Sequence, residues 1–204
     1  MIDKICEFLT NKIRMEMPEI NDEKAEIINY GLQNIIGEIP KTFIIFAIAY
    51  LLGVFKLTIL VYLILMPYRA FSGGFHLHTH IGCIIGTTLF YCGIALLSKN
   101  IVLLDYTKYI LIGFVWLFGM IAVKLYAPAD TENLPILRKK ERKTKQILSY
   151  LTLTIYMLVA IFTKQTIICN ILVFGALIQS IMITKFAYKI TNNKYGYEVY
   201  TQAQ

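Results

Sequence analysis

Charge is scarce in this chain. Of its 204 residues, 16% are charged and 57% belong to the apolar set, where soluble domains run at about 25% and 45–50%. So few charges cannot cover a water-soluble domain of this size, and lipid is the expected solvent. Cysteine is sparse as well. Cys6, Cys83, Cys92 and Cys169 show no paired spacing such as C-x-x-C, and three of the four lie in or beside apolar runs, so no disulfide framework is expected. The first 40 residues lack an apolar run long enough for a signal-peptide core and carry mixed charges, which leaves the N-terminus on the cytoplasmic side. H-E-x-x-H and G-x-S-x-G are both missing, and with them the signatures of zinc metallopeptidases and serine hydrolases. The net charge of +7 comes without a hydrophilic basic module or a nucleic-acid motif, so no nucleic-acid partner is expected. Internal repeats and low-complexity segments are absent too.

Apolar runs are what the chain has in quantity. Those at 81–97, 109–126, 147–163 and 167–184 each lie near the lower limit of about 17 residues for a spanning helix. The stretch 43–66 is interrupted by Gly53 and Lys56 and reads as a short helical hairpin turning near Lys56. Ahead of it, residues 2–14 and 22–37 each read as amphipathic helices, with Ile2, Ile5, Cys6, Leu9 and Ile13 forming the apolar face of the first and Ile27, Ile28, Leu32, Ile35 and Ile36 that of the second. Pro40 is expected to end this region. The expected fold is an all-α polytopic membrane helical bundle of about six membrane segments, four clear spans plus the hairpin, behind amphipathic N-terminal helices. Its parts are an amphipathic region at 1–40, a membrane domain at 41–184 with a chemically loaded segment at 69–83 and a basic loop at 127–146, and a cytoplasmic tail at 185–204.

Charge asymmetry orients the bundle. Arg138, Lys139, Lys140, Arg142, Lys143 and Lys145 crowd one linker against Glu141 alone, which marks that linker as cytoplasmic. Counting back two spans puts Arg69 on the same side. With the hairpin, the inner segments hold 15 Lys and Arg and the outer loops 4, namely Lys56, Lys99, Lys108 and Lys164. Lys124, the one basic residue left inside a span, lies close enough to the inner end to snorkel.

All three histidines sit in one segment, Arg69-Ala-Phe-Ser-Gly-Gly-Phe-His76-Leu-His78-Thr-His80-Ile-Gly-Cys83. A thiol within reach of an imidazole can form a thiolate nucleophile, and the imidazolium can then protonate a leaving amine. On a straight helix His76 and Cys83 would share a face yet stand about 10 Å apart in rise. A turn at Ser72-Gly73-Gly74 can fold the chain back over Cys83. His80, three before Cys83, competes locally, while His78 points elsewhere. His76, His80 and Cys83 at i, i+4 and i+7 also read as a zinc-ligand face. A membrane transporter using the cluster as gate or proton relay is the non-enzyme alternative, although broken-helix repeats and intramembrane acids are missing. Cys92 and Cys169 read as core packing.

Arg69, the pair Gly73-Gly74, His76 and the cysteine seven later resemble the signature of the AgrB (accessory gene regulator protein B) family. A second stretch, Ala127-Pro-Ala-Asp-Thr-Glu-Asn-Leu-Pro135-Ile136, is similar to that family's Ala-Pro…Pro-Ile or Pro-Leu loop, with Leu134 where the family often carries Lys. Length, basic character and order of spans agree, so the resemblance covers nearly the whole chain. It implies a membrane cysteine endopeptidase of a Gram-positive bacterium that matures a cyclic quorum-sensing peptide, with Cys83 as nucleophile and His76 as base. The implied substrate is an AgrD-like propeptide with an amphipathic leader, a segment containing Cys or Ser, and an acidic C-terminal tail. Loss of the tail would leave a thioester on Cys83, which the substrate's own Cys or Ser opens to a thiolactone or lactone. Arg69, Gly73, Gly74 and His80 are supporting candidates. Arg69 and either Asp130 or Glu132 are candidates to orient the histidine or clamp substrate, the two acids reading more plainly as loop charges. The other expected partners are the lipid bilayer and, as a candidate, a second copy of the chain; no cofactor is called for.

The orientation is open to test by cysteine accessibility labelling. Lys99→Cys is expected to react with a membrane-impermeant thiol reagent from outside intact cells and Lys143→Cys only after permeabilisation. The reverse pattern would invert the topology.

Overall fold

The computed structural model describes residues 2–17, 19–75, 77, 79–132 and 135–202. The chain forms two compact units, Met1–Ile48 and Ala49–Gln204. In the first, α1 (Ile2–Glu16) is followed by α2 (Asp22–Leu51), which runs on into the second unit. Asn21 caps α2, its side chain accepting from Lys24 N at 2.9 Å, as a short polar residue at a helix start should. An Arg14–Asp22 ion pair ties the two helices, and Cys6, Thr10, Ile20 and Ala25 are buried.

Pro40 does not end the helix; it lies inside α2. Its exposed position leaves room for the ring, and Thr42 Oγ1 donates to Glu38 O at 2.9 Å, giving a nearby carbonyl an extra donor where proline disturbs the ladder. The break in the stretch 43–66 comes at Leu52-Gly53-Val54 instead. There Gly53 takes φ 67°, a left-handed conformation that glycine adopts without the clash a Cβ brings. Lys56 therefore belongs to the first turn of α3 (Phe55–Ser72).

After α3 come α4 (His80–Asn100), α5 (Asp105–Tyr126), α6 (Lys139–Phe162), α7 (Thr166–Met182) and the short α8 (Lys185–Ile190) and α9 (Gly196–Gln202). Among the described residues, four helices are long and apolar enough to cross a membrane: Phe55–Ser72, Ile81–Asn100, Tyr106–Tyr126 and Lys139–Phe162, with Thr166–Met182 a shorter apolar helix. The protein is thus an all-α, multi-pass membrane protein. Leu63, Ile85, Leu89, Phe114, Leu117, Leu151 and Leu158 stay exposed, as side chains facing acyl chains can. The basic run 139–145 is no loop but the opening two turns of α6. Its Lys, Arg and Glu are good helix formers with no glycine or proline to interrupt them.

Short α7 is the axis of the second unit. It packs against α3, α4, α5, α6 and α8 and buries Cys169, Asn170, Ile171, Leu172, Val173, Gly175, Ala176, Gln179 and Ser180. Lipid tails are as apolar as leucine, so close packing and polar contacts hold such helices together. Asn170 donates to Ser98 O at 3.2 Å and Ile101 O at 2.7 Å, satisfying carbonyls at the end of α4. Tyr68 and Ser180 hydroxyls meet at 2.9 Å. Gly175 lets α3 approach: a Cβ there would stand 2.5 Å from Leu65 Cδ2 and 2.7 Å from Cδ1, and Leu65 is fully buried. Gly175→Ala is therefore expected to destabilise the bundle by about 1–3 kcal/mol, read as a lower thermal midpoint in detergent. An unchanged midpoint would contradict the close approach.

Candidate functional site

The site begins where α3 stops. Ser72 is its last residue, and Gly73, at φ 76° and ψ −149°, caps it by donating to Arg69 O. Gly74 follows at φ 142°. The chain reverses here and is clamped to the loop after α5: Ala129 N donates to Ser72 O at 2.8 Å and Gly74 N donates to Ala129 O at 2.9 Å, a parallel bridge between Gly73 and Ala129. A Cβ on Gly73 would fall well inside van der Waals contact of Ala129 O. The two sequence motifs, far apart in the chain, are thus one structure, and the glycine pair is held by its partners rather than flexible.

A buried amide of α7 locks this junction. Gln179 is fully buried; its Nε2 donates to Ser72 Oγ at 2.9 Å and Gly73 O at 2.7 Å, while Oε1 accepts from Arg69 Nη1 at 3.3 Å. Arg69 also reaches Met182 Sδ at 3.6 Å, and its guanidinium stands 5.6 Å from the centroid of the Phe90 ring. Each of these partners is neutral.

Asp130, next to the bridge, is no loop charge: its side chain is completely buried. Oδ2 accepts from Ile136 N at 2.9 Å, Arg142 Nη1 at 3.1 Å and Tyr197 N at 3.0 Å. Arg142 also donates to Pro128 O at 3.2 Å, so the first turns of α6 grip the loop from both ends. Glu132 does behave as a loop charge, exposed and paired with Lys194 at 3.6 Å.

Cys83 lies in the first turns of α4, whose N-cap Thr79 accepts from Gly82 N at 3.0 Å. It is half-buried, whereas Cys6, Cys92 and Cys169 are buried. Together with Arg69, Phe75, Leu77, Thr87, Phe90 and Thr191 it lines a cleft of about 170 Å³. The backbone N–H of Cys83 donates to Thr79 O at 2.9 Å, and Thr87 Oγ1 donates to Cys83 O at 2.6 Å and stands 4.0 Å from Sγ. Leu77 packs on the same turns, its Cδ1 lying 3.0 Å from where a Cβ on Gly86 would be.

The family model for accessory gene regulator B matches residues 4–183. The chain belongs to the AgrB family. Proteins described as AgrB-like from Listeria monocytogenes (serotype 4a, strain HCC23) and Listeria innocua (serovar 6a) are each 28% identical to it, over 97% of this chain and 94% of theirs. One from Clostridium perfringens (strain SM101) is 29% identical over 80% of this chain and 77% of its own. No solved structure matches the chain.

Of the site residues expected for an AgrB-family chain, the fold gathers Arg69, Gly73, Gly74 and Cys83 into one region. His76 and His78 lie outside the described residues, as does the side chain of His80. Phe75 and Leu77 both line the cleft with Cys83. The zinc-ligand reading needs a helical face running from 76 to 83, and α4 begins only at His80. Leu134 of the AgrB loop is also outside the described residues. Sequence reasoning missed Gln179 and undervalued Asp130. The available signal was cost: an amide inside an apolar run is expensive to bury unless partnered. Gly73→Ala is expected to break the bridge to Ala129 and lower the thermal midpoint by an amount matching roughly 2–4 kcal/mol, overpacking and left-handed strain acting together. A wild-type midpoint would contradict that.

Proposed function

We propose that this AgrB-family protein is a membrane cysteine endopeptidase that removes the C-terminal tail of an AgrD-like precursor and promotes cyclisation of the remainder to a thiolactone or lactone autoinducer for quorum sensing. The observation that carries the reading is Cys83 itself: alone among the four cysteines it is not buried, and it opens into a cleft beside Arg69. His76, the base assigned by the family signature, takes the Cys83 thiol proton, Sγ attacks the scissile carbonyl carbon, the C–N bond breaks, and the departing amine takes that proton from the His76 imidazolium. The acyl group is left as a thioester on Cys83. The precursor's own thiol or hydroxyl then attacks that carbonyl, closes the ring and returns a proton and the free thiol to Cys83.

The surroundings support this chemistry. Phe75, Leu77 and Phe90 make the cleft largely apolar, and an apolar cleft restricts the water that would hydrolyse a thioester. Arg69, held by Gln179, supplies positive charge suited to an acidic peptide or to a developing oxyanion. The lysine- and arginine-rich start of α6 accords with a cytoplasmic site, where a ribosomally made precursor arrives. A second copy of the chain is a candidate partner.

Intact-protein mass spectrometry tests the scheme. A precursor whose internal Cys or Ser is replaced by Ala is expected to leave a hydroxylamine-sensitive adduct on the wild-type enzyme and none on Cys83→Ala. Cys83→Ser and His76→Ala are each expected to lose cleavage by about a hundred-fold or more. Cleavage at the wild-type rate by either variant would sink the assignment.

A further inference from the structure

The family match stops at residue 183, yet the chain beyond it reaches the cleft. We propose that the segment Lys185–Tyr197 is the specificity wall of the Cys83 cleft, with Thr191 limiting the bulk of the precursor side chain admitted beside the thiol; this rests on the peptidase reading above. Thr191 lines the same cleft as Cys83, Phe75 and Leu77. The remaining lining residues come from α3, the turn after it, α4 and α7, so Thr191 is the contribution of the C-terminal segment.

The wall is anchored. Thr191 N and Oγ1 both donate to Ala187 O, at 3.1 and 2.9 Å, and Asn193 Nδ2 donates back to Thr191 O at 3.1 Å and Oγ1 at 3.0 Å. One turn earlier, Tyr188 OH donates to Asp130 O at 3.0 Å, and its ring meets Phe75 edge-on at 6.3 Å. Tyr195 stacks on Tyr188 at 4.1 Å and donates to Ile183 O at 2.8 Å. Tyr197 N donates to Asp130 Oδ2 at 3.0 Å while its ring carries the Arg142 guanidinium at 4.2 Å. Burial, the leading cause, pushes both the Tyr188 and Tyr195 phenols far above their ordinary range, so they remain neutral donors. A segment tied through Tyr188 and Tyr197 to Asp130 and through Tyr195 to Ile183 resists displacement, and a larger side chain at 191 is expected to narrow a cleft of only about 170 Å³.

The test is a graded series, Thr191→Val, Leu, Phe and Trp, in the full chain. Two readouts are taken in detergent. The first is KM and kcat for the precursor used to establish Cys83-dependent cleavage. The second is the alkylation rate of Cys83 by iodoacetamide and by fluorescein maleimide, followed at Cys83 by peptide mass spectrometry. KM is expected to rise with side-chain size, by about ten-fold or more at Phe or Trp, with kcat nearly unchanged. The bulky maleimide should slow progressively relative to iodoacetamide. Val and Leu preserve the measurement should Trp fail to fold. A flat KM across the series, or equal slowing of both reagents, overturns the wall. Cleavage that persists in Cys83→Ala overturns the peptidase reading, and the alkylation ratio then still decides whether Thr191 bounds the cleft.

Discussion

One buried amide ties the rest together. Gln179 sits on the most enclosed helix with its side chain fully buried, so its polar atoms need partners, and it makes three polar contacts with protein. They come from Ser72, Gly73 and Arg69, which are the end of α3, the turn after it and the cation of the cleft. Replacing it with an apolar residue would leave the Ser72 hydroxyl and Gly73 carbonyl short of a donor and release the guanidinium, each loss worth about 1–3 kcal/mol where the group stays buried. The position of Arg69 over the Cys83 cleft is therefore set from α7 as much as from α3.

The packing around α7 also lets it carry polar side chains. A helix packed on five others is sheltered by its neighbours along most of its length, so protein replaces lipid around it. Polar residues then become affordable at both ends: Asn170 closes the end of α4, and Gln179 and Ser180 close the end of α3. Glycine at 175 completes the arrangement by letting Leu65 lie against the α7 backbone.

The sequence made much of this legible. Apolar runs marked α4 to α7 because lipid-facing residues leave a long, uninterrupted signal, and the cluster from Arg69 to Cys83 stood out because little else in the chain is reactive. What escaped was what tertiary context decides. Pro40 reads as a stop by propensity, yet α2 continues through it; Lys56 reads as a turn, yet Gly53 is the residue able to take φ 67°. Asp130 looks like any acid in a polar loop, and only the fold brings Arg142 and the Tyr197 amide to it. Residues 185–204 read as a tail because they follow the last apolar run. Their hydrogen bonds run to Asp130 and Ile183, partners that periodicity alone does not identify.

The level of Cys83 in the bundle follows from the same geometry and bears on the proposed chemistry. It is the fourth residue of α4, so it lies about 5 Å along the helix axis from the first, at the rim of a spanning segment rather than at its middle. A thiol buried much deeper would require the substrate to carry unpaired peptide groups into hydrocarbon, at a cost of several kcal/mol for each. A thiol placed outside the rim would expose any thioester to bulk water. On the proposed reading, a precursor held at the rim by an amphipathic leader would lie in the interfacial plane, and its scissile peptide would descend by only about one helical turn. Phe75 and Leu77 line the cleft just after the turn that Gly73 and Gly74 make, and that turn is clamped to Ala129. On the proposed reading, ring closure competes with hydrolysis through this single junction: the tighter the bridge holds Gly74, the less water shares the cleft with the acyl group.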